Sequence, residues 1–305
     1  MARFRLSRKH LKYAGFGFAG AIAALVVWSF IEPSILNVED EVADVPLLDS
    51  SWNNLQIAQI SDLQIGMKGG NPQTVTRSVN AIIKRKPVAV LISGDFLYHA
   101  TPDPVPKIDK VVELLRPLSE ANIPVYAVLG NHDYGMSGKS EPPDLELIAQ
   151  LTTALESIDI IILRNESAEI PHPDGGPPLH LAGIDSKWAG KEDIEKAIDS
   201  LPPDSAHVVL MHNPESFEEL PENSAAFALA GHTHGGQARV PGFPQWSWLK
   251  FVKDDKVYVD GWVKDYGNKG NRLYVNPGIG MSIVPIRLFC PPEVTFFSLQ
   301  SQSQP

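Results

Sequence analysis

Three apolar segments of six or seven residues alternate with amphipathic segments in the first half of the sequence, and polar residues follow each apolar segment. The apolar segments cover residues 55–61, 88–93 and 124–129. Residues 74–84, 108–118 and 145–156 carry helical spacing between and after them. Strands that alternate with helices in this way predict β-α-β connections and a parallel sheet.

The second half of the sequence predicts a second sheet. Short apolar segments at residues 159–163, 166–170 and 179–184 fit a sheet that is more antiparallel than the first. A helix is predicted over residues 194–200, and later strands over residues 206–211, 227–230, 273–275 and 294–299. The predicted fold is therefore α/β, with two packed mixed sheets flanked by helices and an N-terminal membrane segment.

Metal-competent side chains follow five of the predicted strands. Carboxylate, amide and imidazole groups together are suitable ligands for two divalent cations, and the ends of strands hold such groups rigidly. One aspartate in such a position could simply cap a helix, but five polar strand ends in this order are hard to attribute to capping. The candidate ligands are Asp62, Gln64, Asp95, Asn131, His212, His232 and His234.

These motifs resemble those of the calcineurin-like metallophosphoesterases, whose pattern is D-x-H, G-D, G-N-H-D/E, H and G-H-x-H. The matching residues are Asp62-Leu63-Gln64, Gly94-Asp95, Gly130-Asn131-His132-Asp133, His212 and Gly231-His232-Thr233-His234. Segments 273–280 and 285–293 further resemble a membrane-associated bacterial branch. That branch includes twin-arginine-exported phosphoesterases and an enzyme that acts on UDP-2,3-diacylglucosamine.

The resemblance implies a four-layer fold and a site for two metal ions. One ion would take Asp62, Asp95 and His234, and the other would take Asp95, Asn131, His212 and His232, so that Asp95 bridges them. His132 would be the catalytic residue that stabilises developing charge or protonates the leaving oxygen. Asp133 could orient His132, or it could be a solvated turn carboxylate.

Gln64 departs from the family pattern, which usually has histidine at this position. An amide oxygen is a harder and weaker ligand than an imidazole nitrogen, so the first metal ion should bind less tightly. The site should favour manganese, with magnesium, iron or zinc as alternatives.

Three functions are compatible with these motifs. The first is a phosphoesterase or pyrophosphatase, for which a lipid-linked substrate such as UDP-2,3-diacylglucosamine is one candidate. The second is a membrane-tethered protein that binds metal or phosphate and has weak or lost turnover because of Gln64. The third is another metallohydrolase, but Gly235-Gly236 follows His234 where the metallo-β-lactamase pattern continues with Asp-His.

The N-terminus predicts a membrane anchor. Residues 13–31 are uncharged and mostly apolar, and Arg3, Arg5, Arg8, Lys9 and Lys12 precede them. Such a segment is near the length that spans a bilayer, and the basic residues favour the cytoplasmic side, so the body should be extracytoplasmic. Residues 7–12 also resemble a twin-arginine export signal with Lys9 in place of the second arginine. The alternative to an uncleaved anchor is a signal that is cleaved near residue 23. The predicted organisation is an anchor or signal at 1–31, a linker at 32–51, a metallophosphoesterase domain at 52–300 and a polar tail at 301–305.

Charge and cysteine content limit the partners. The chain has 26 basic and 36 acidic residues, and five of the bases lie in the first twelve positions, so the rest carries a net charge of −15. An acidic body is a poor surface for nucleic acid, and none is expected as a partner. The single cysteine, Cys290, excludes an internal disulfide framework.

Aromatic residues are concentrated immediately after the histidine motif, where Phe243, Trp246, Trp248 and Trp262 fall within residues 241–262. Aromatic side chains in hairpins usually pack inward, which favours a core role. The adjacent anchor and the family resemblance favour a wall for an apolar substrate. We therefore take Trp246 and Trp248 as candidate substrate-binding residues.

Overall fold

A computed structural model describes residues 8–100, 102–249, 258–264 and 266–302. The predicted basic N-terminus and polar tail lie partly outside these ranges. The helices in the described part are α1 (Arg8–Ile31), α2 (Pro72–Arg85), α3 (Val105–Glu120), α4 (Leu145–Glu156) and α5 (Ile194–Asp199). The strands are β1 (Asn37–Val45), β2 (Gln56–Ile60), β3 (Ala89–Ile92), β4 (Val125–Ala127), β5 (Ile160–Ile162), β6 (Glu166–Ile170), β7 (Leu179–Gly183), β8 (His207–Leu210), β9 (Ala228–Ala230), β10 (Arg239–Val240), β11 (Phe243–Ser247), β12 (Gly261–Trp262), β13 (Leu273–Val275) and β14 (Glu293–Ser301).

Two six-stranded mixed sheets form the body, as the sequence predicts. The first has the order β1-β14-β2-β3-β4-β5, and the second has the order β12-β13-β9-β8-β7-β6. Apolar side chains from both sheets, such as Ile57, Leu91, Leu181 and Leu210, pack together in one buried cluster. Helices α2, α3 and α4 cover the outer face of the first sheet.

Local sequence explains why these helices form and where they pack. Helix α2 begins with Pro72, and its residues Val75, Val79 and Ile82 are buried because they share one face at helical spacing. The side chain of Asp144 caps α4 by accepting hydrogen bonds from the backbone N–H groups of Glu146 and Leu147.

The structure corrects one sequence prediction about the sheets and confirms another. Strand β5 pairs in parallel with β4 and therefore belongs to the first sheet, since α4 returns the chain to that sheet as in the earlier β-α-β units. The second sheet is more antiparallel than the first, as predicted, with two antiparallel strand pairs against one, although β7, β8, β9 and β13 run parallel. Only its two outer pairs, β6–β7 and β12–β13, are antiparallel.

Residues 32–51, predicted to be a linker, contain a strand of the first sheet. Strand β1 pairs in parallel with β14 along its whole length, from Asn37 opposite Glu293 to Val45 opposite Ser301. Ala43 and Val45 are buried while the acidic residues between them face outward, so the acidic composition reflects one exposed face. The folded body therefore includes β1, and the predicted boundary at residue 52 is too late.

Helix α1 is long and apolar enough to cross a membrane, on the grounds of length and composition, over Lys12–Ser34. Its apolar side chains, including Phe16 and Phe18, are exposed. The end of α1 contacts the body, where the Ser29 carbonyl accepts a hydrogen bond from the Arg287 N–H at 2.9 Å.

Candidate metal centre

The predicted ligands lie at the carboxyl ends of strands in both sheets, and the two sheets bring these ends together. Asp62 and Gln64 follow β2, Asp95 follows β3, and Asn131 follows β4. In the other sheet, His212 follows β8, and His232 and His234 follow β9. Ligands from the two sheets meet where His212 Nε2 lies 3.3 Å from Asp95 Oδ2 and His234 Nε2 lies 3.4 Å from Asp62 Oδ1.

Two overlapping groups of side chains in the described part of the chain have the spacing to hold a metal ion. One is Asp95, His212 and His232, and the other is Asp62, Asp95 and His234; within each group the ligand atoms lie within 4.8 Å of one another. Asp95 is common to both groups. This arrangement has the geometry of two neighbouring cation sites that share one carboxylate.

Buried oxygen atoms without hydrogen-bond partners support the same interpretation. Asp62 Oδ1, Gln64 Oε1 and Asn131 Oδ1 are buried and have no hydrogen-bond partner. A buried polar atom without a partner costs stability unless a ligand or an ion satisfies it. These oxygens and the neighbouring imidazoles form a donor set that fits divalent cations.

Five of the candidate ligands have unusual backbone conformations. Asp62, Gln64, Asp95, His232 and His234 have φ values of 51°, 51°, 57°, 72° and 50°. Residues other than glycine rarely adopt positive φ, and such strain persists only where the surrounding structure imposes it. The glycines of the motifs permit close approach, because a Cβ at Gly130 or Gly231 would overlap Asp95 or Ser61.

Burial and mutual charge set the protonation of the centre. Burial raises the pKa of Asp62 to about 7. Burial alone would lower the pKa of His212, but the negative charge of Asp95 raises it to about 10. Burial, together with the positive charge of Arg287, lowers the pKa of His234 to about 3, so its imidazole is neutral at physiological pH. The lone pair of a neutral imidazole is available to a metal ion.

Hydrogen bonds outside the ligand groups fix their orientation. The His212 Nδ1 atom is 2.7 Å from the Ser93 carbonyl oxygen and donates to it, which leaves Nε2 facing Asp95. Asp62 Oδ2 accepts hydrogen bonds from the Ser61 hydroxyl at 2.6 Å and the His232 N–H at 3.0 Å. These bonds tie β2 to the histidine turn after β9.

Asp133 has a different role from the one suggested by the sequence. Its carboxylate accepts hydrogen bonds at 2.8–3.1 Å from four backbone N–H groups, those of Asp95, Phe96, Leu97 and Gly130. It therefore holds the loop that presents Asp95, and none of the described hydrogen bonds joins it to the His132 ring.

His132 lies beside the two ligand groups and belongs to neither. Its backbone N–H donates to Asp95 Oδ1 at 2.9 Å, and its ring lies 5.1 Å from that of Tyr98 and 5.8 Å from that of His99. Burial lowers its pKa. The sequence did not predict Tyr98 as a neighbour; for His99, four residues after Asp95, it favoured a surface position over one that reaches the crevice. His99 is exposed, yet it lies close to His132.

The Gln64 amide lies between both ligand groups. Its Nε2 atom donates to Asp95 Oδ2 at 2.8 Å and lies 3.3 Å from His234 Nε2. Rotation of the amide by half a turn would bring the unpartnered Oε1 to these same neighbours.

Arg287, which the sequence analysis placed in the resembling segment 285–293 without a role, is buried beneath the group of Asp62, Asp95 and His234. The Arg287 guanidinium donates hydrogen bonds to the carbonyls of Pro277, Gly278, Gly280 and Cys290. The N–H groups of Ile279 and Gly280 donate in turn to the carbonyls of Ser61 and Asp62. Arg287 therefore holds the loop that supports the end of β2. No local periodicity identifies such a role, because all of these contacts are distant in the sequence.

The candidate substrate residues Trp246 and Trp248 lie on strand β11 or directly after it, and they do not pack inward. Their exposed fractions are 52% and 56%. The intervening Ser247 is buried, and a Cβ at Gly236 in the histidine turn would overlap its side chain. The core alternative for these two tryptophans is therefore wrong, whereas Trp262 packs against Tyr274 and Phe297.

Comparison with known proteins agrees with this geometry. A profile of the calcineurin-like phosphoesterase family matches residues 55–236. The chain is 26% identical to the uncharacterized metallophosphoesterase YkuE of Bacillus subtilis, over 97% of this chain and 99% of that protein. It is 33% identical to the phosphodiesterase YaeI of Escherichia coli over 71% and 72% of the two chains. It is also 24% identical to the UDP-2,3-diacylglucosamine pyrophosphatase LpxG of Chlamydia muridarum over 88% and 91%. The chain belongs to the calcineurin-like phosphoesterase family and is a metallophosphoesterase, a hydrolase.

Proposed function

We propose that the chain hydrolyses a phosphoester or pyrophosphate bond of a lipid-linked substrate at a site for two divalent metal ions. The two overlapping ligand groups that share Asp95 are the observation that carries this proposal. Asp62, Gln64, Asp95 and His234 would hold the first ion, and Asp95, Asn131, His212 and His232 would hold the second. The partnerless oxygens of Asp62, Gln64 and Asn131 support this assignment.

The two ions and His132 would have different roles in the reaction. When bound, the two ions activate water for in-line attack on phosphorus and neutralise charge on the phosphoryl oxygens. His132 is the proposed catalytic residue, since its ring lies beside the ligands without belonging to either group. It would donate a hydrogen bond or a proton to the leaving oxygen.

Manganese is the proposed ion, and Gln64→His tests its first site. The softer, more strongly bound imidazole should raise metal affinity there and lower the manganese concentration needed for half-maximal activity. Metal titrations followed by calorimetry and by activity would measure both quantities. Identical titration curves for the two proteins would mean that Gln64 does not contact the metal.

A binding function without turnover is the second candidate. It is favoured by one observation, the position of the Gln64 amide 2.8 Å from Asp95 Oδ2, where the family pattern has an imidazole. Hydrolysis of an aryl phosphodiester with added manganese separates the two functions. Metal-dependent turnover well above that of Asp95→Ala supports the enzyme, whereas metal binding without turnover supports the second function.

The lipid-linked substrate is proposed from the exposed tryptophans beside the histidine turn and from the similarity to LpxG. Replacing Trp246 and Trp248 together by alanine should raise KM for UDP-2,3-diacylglucosamine and leave KM for a soluble aryl phosphodiester unchanged. An apolar contact of this size is worth about 1–3 kcal/mol, or roughly 5- to 150-fold in KM. An equal loss on both substrates would remove the tryptophans from substrate recognition.

We propose that α1 anchors the chain in a membrane with the body on the extracytoplasmic side. The full chain should then remain with membranes after salt extraction. A chain that begins at Ser29 should be soluble and folded, because it keeps the Ser29 carbonyl and the Glu32 carboxylate that contact segment 287–290. A chain that begins at Val38 lacks both contacts and should melt at a lower temperature. Equal melting temperatures would show that these contacts do not stabilise the body.

A further inference from the structure

We propose that an apolar rim of the metal centre docks on the lipid bilayer beside α1. The rim consists of hairpin β10–β11, the adjoining Trp248 and the segment 282–289. Its exposed apolar residues are Val240, Phe243, Trp246, Trp248, Ile283, Val284 and Phe289. This inference rests on the proposed membrane anchor and extends the proposed function to the route of the substrate.

The two parts of the rim are joined to each other. Gln237 Nε2 donates to the carbonyls of Val284 and Ile286 at 3.1 and 3.2 Å, and Gln237 Oε1 accepts from the Ser282 N–H at 2.5 Å. The Arg239 N–H donates to the Leu288 carbonyl at 3.0 Å. The hairpin and the segment therefore present their apolar side chains from one connected structure.

The rim is also joined to the last turn of α1. The Glu32 carboxylate accepts hydrogen bonds from Trp28 Nε1 and from the backbone N–H groups of Phe289 and Cys290. The Arg287 N–H donates to the Ser29 carbonyl. If α1 crosses a bilayer, these bonds hold the rim next to the point where the helix leaves it.

The exposed surface of the rim favours a bilayer over other occupants. Ile283 is 78% exposed, and large apolar side chains grouped in this way on a soluble surface indicate an interaction site. The rim continues from the end of α1, whose own apolar side chains are also exposed. A lipid bilayer would bury both. Aromatic residues such as Trp246 and Trp248 are also favoured at the membrane–water interface.

The rim leads to the metal centre. The Ile283 N–H donates to the Tyr98 hydroxyl at 3.1 Å, and the Tyr98 ring lies 5.1 Å from that of His132. On the hairpin side, Ser247 is in contact range of Gly236 in the histidine turn. A substrate held in the bilayer would therefore reach the proposed catalytic histidine without leaving the surface entirely.

The test uses the full chain in vesicles of phosphatidylcholine and phosphatidylglycerol. An environment-sensitive fluorophore is attached at Ile283→Cys, and at Phe243→Cys in a second protein. The control is Ile161→Cys, which replaces another exposed isoleucine on β5, at the opposite edge of the first sheet from β1. Cys290 is buried, and attempted labelling of the unsubstituted chain measures its background.

Each probe is exposed to lipid-borne nitroxide and to aqueous iodide. The probes at 283 and 243 should shift to shorter emission wavelength, be quenched by the nitroxide and resist iodide. The probe at 161 should be quenched by iodide and not by the nitroxide. Quenching of all three probes by iodide would overturn the docking proposal. Protection of the rim probes from both quenchers would also overturn it, because a protein contact would then cover the rim. Hydrolysis of a soluble aryl phosphodiester, measured on the same samples, tests the proposed activity separately.

Discussion

Asp95→Ala is expected to remove both metal ions and to abolish phosphoesterase activity. Asp95 is the only member common to the two ligand groups found in the described residues, so its loss deprives both sites of a carboxylate. Metal ions supply several kcal/mol of charge stabilisation in the transition state, which corresponds to a loss of about 10³-fold or more in kcat. Metal content by mass spectrometry and kcat on an aryl phosphodiester measure the two effects.

His132→Ala is the matched control for this prediction. It should lower kcat by about 10²- to 10⁴-fold, the usual contribution of a general acid, while metal content stays at the level of the unsubstituted chain. The two variants thus separate metal binding from proton donation. Loss of metal from His132→Ala would show that the histidine is a ligand and would remove it from the proposed catalytic role.

Arg287→Met is expected to destabilise the fold and to loosen the first metal site. Methionine has a similar length but no donors, so the carbonyls of Pro277, Gly280 and Cys290 lose their partner inside the protein. Each buried carbonyl left without a partner costs about 1–3 kcal/mol, so a total loss of about 3 kcal/mol or more is expected. The first metal ion should be lost before the second. The loop that contains Gly280 supports the end of β2, which is followed by Asp62 and Gln64.

The control for Arg287→Met is Arg272→Met. Arg272 is half-exposed and pairs with Asp44 at 3.2 Å, so its replacement should cost about 1 kcal/mol or less. Denaturant unfolding of the soluble chain that begins at Ser29, together with metal content per chain, provides both measurements. If Arg287→Met unfolded at the same denaturant concentration as Arg272→Met, the hydrogen bonds from Arg287 to the backbone carbonyls would not stabilise the loop.

The sequence predicted the strand ends well because each depends on a local pattern. A short apolar run followed by a glycine or a polar residue marks the end of a buried strand, so Asp62, Asp95, Asn131 and the three histidines could be assigned to one edge. Five of the seven predicted ligands lie in two groups that share Asp95, and their binding of metal stays a prediction.

Features that depend on contacts distant in the sequence were not predictable in this way. Strand β1 pairs with β14, more than 250 residues later, and its acidic residues resembled a linker. The partners of Arg287 and Glu32 are also remote backbone groups. Trp246 and Trp248 face outward although hairpin aromatics usually pack inward, and only the three-dimensional structure distinguishes the two cases.

The most direct test of the account is the anomalous scattering of manganese in crystals of the chain that begins at Ser29, grown with manganese chloride. We expect two peaks, both next to Asp95, one also bounded by Asp62 and His234 and the other by Asn131, His212 and His232. A single peak, or peaks away from these residues, would contradict a centre of two metal ions bridged by Asp95.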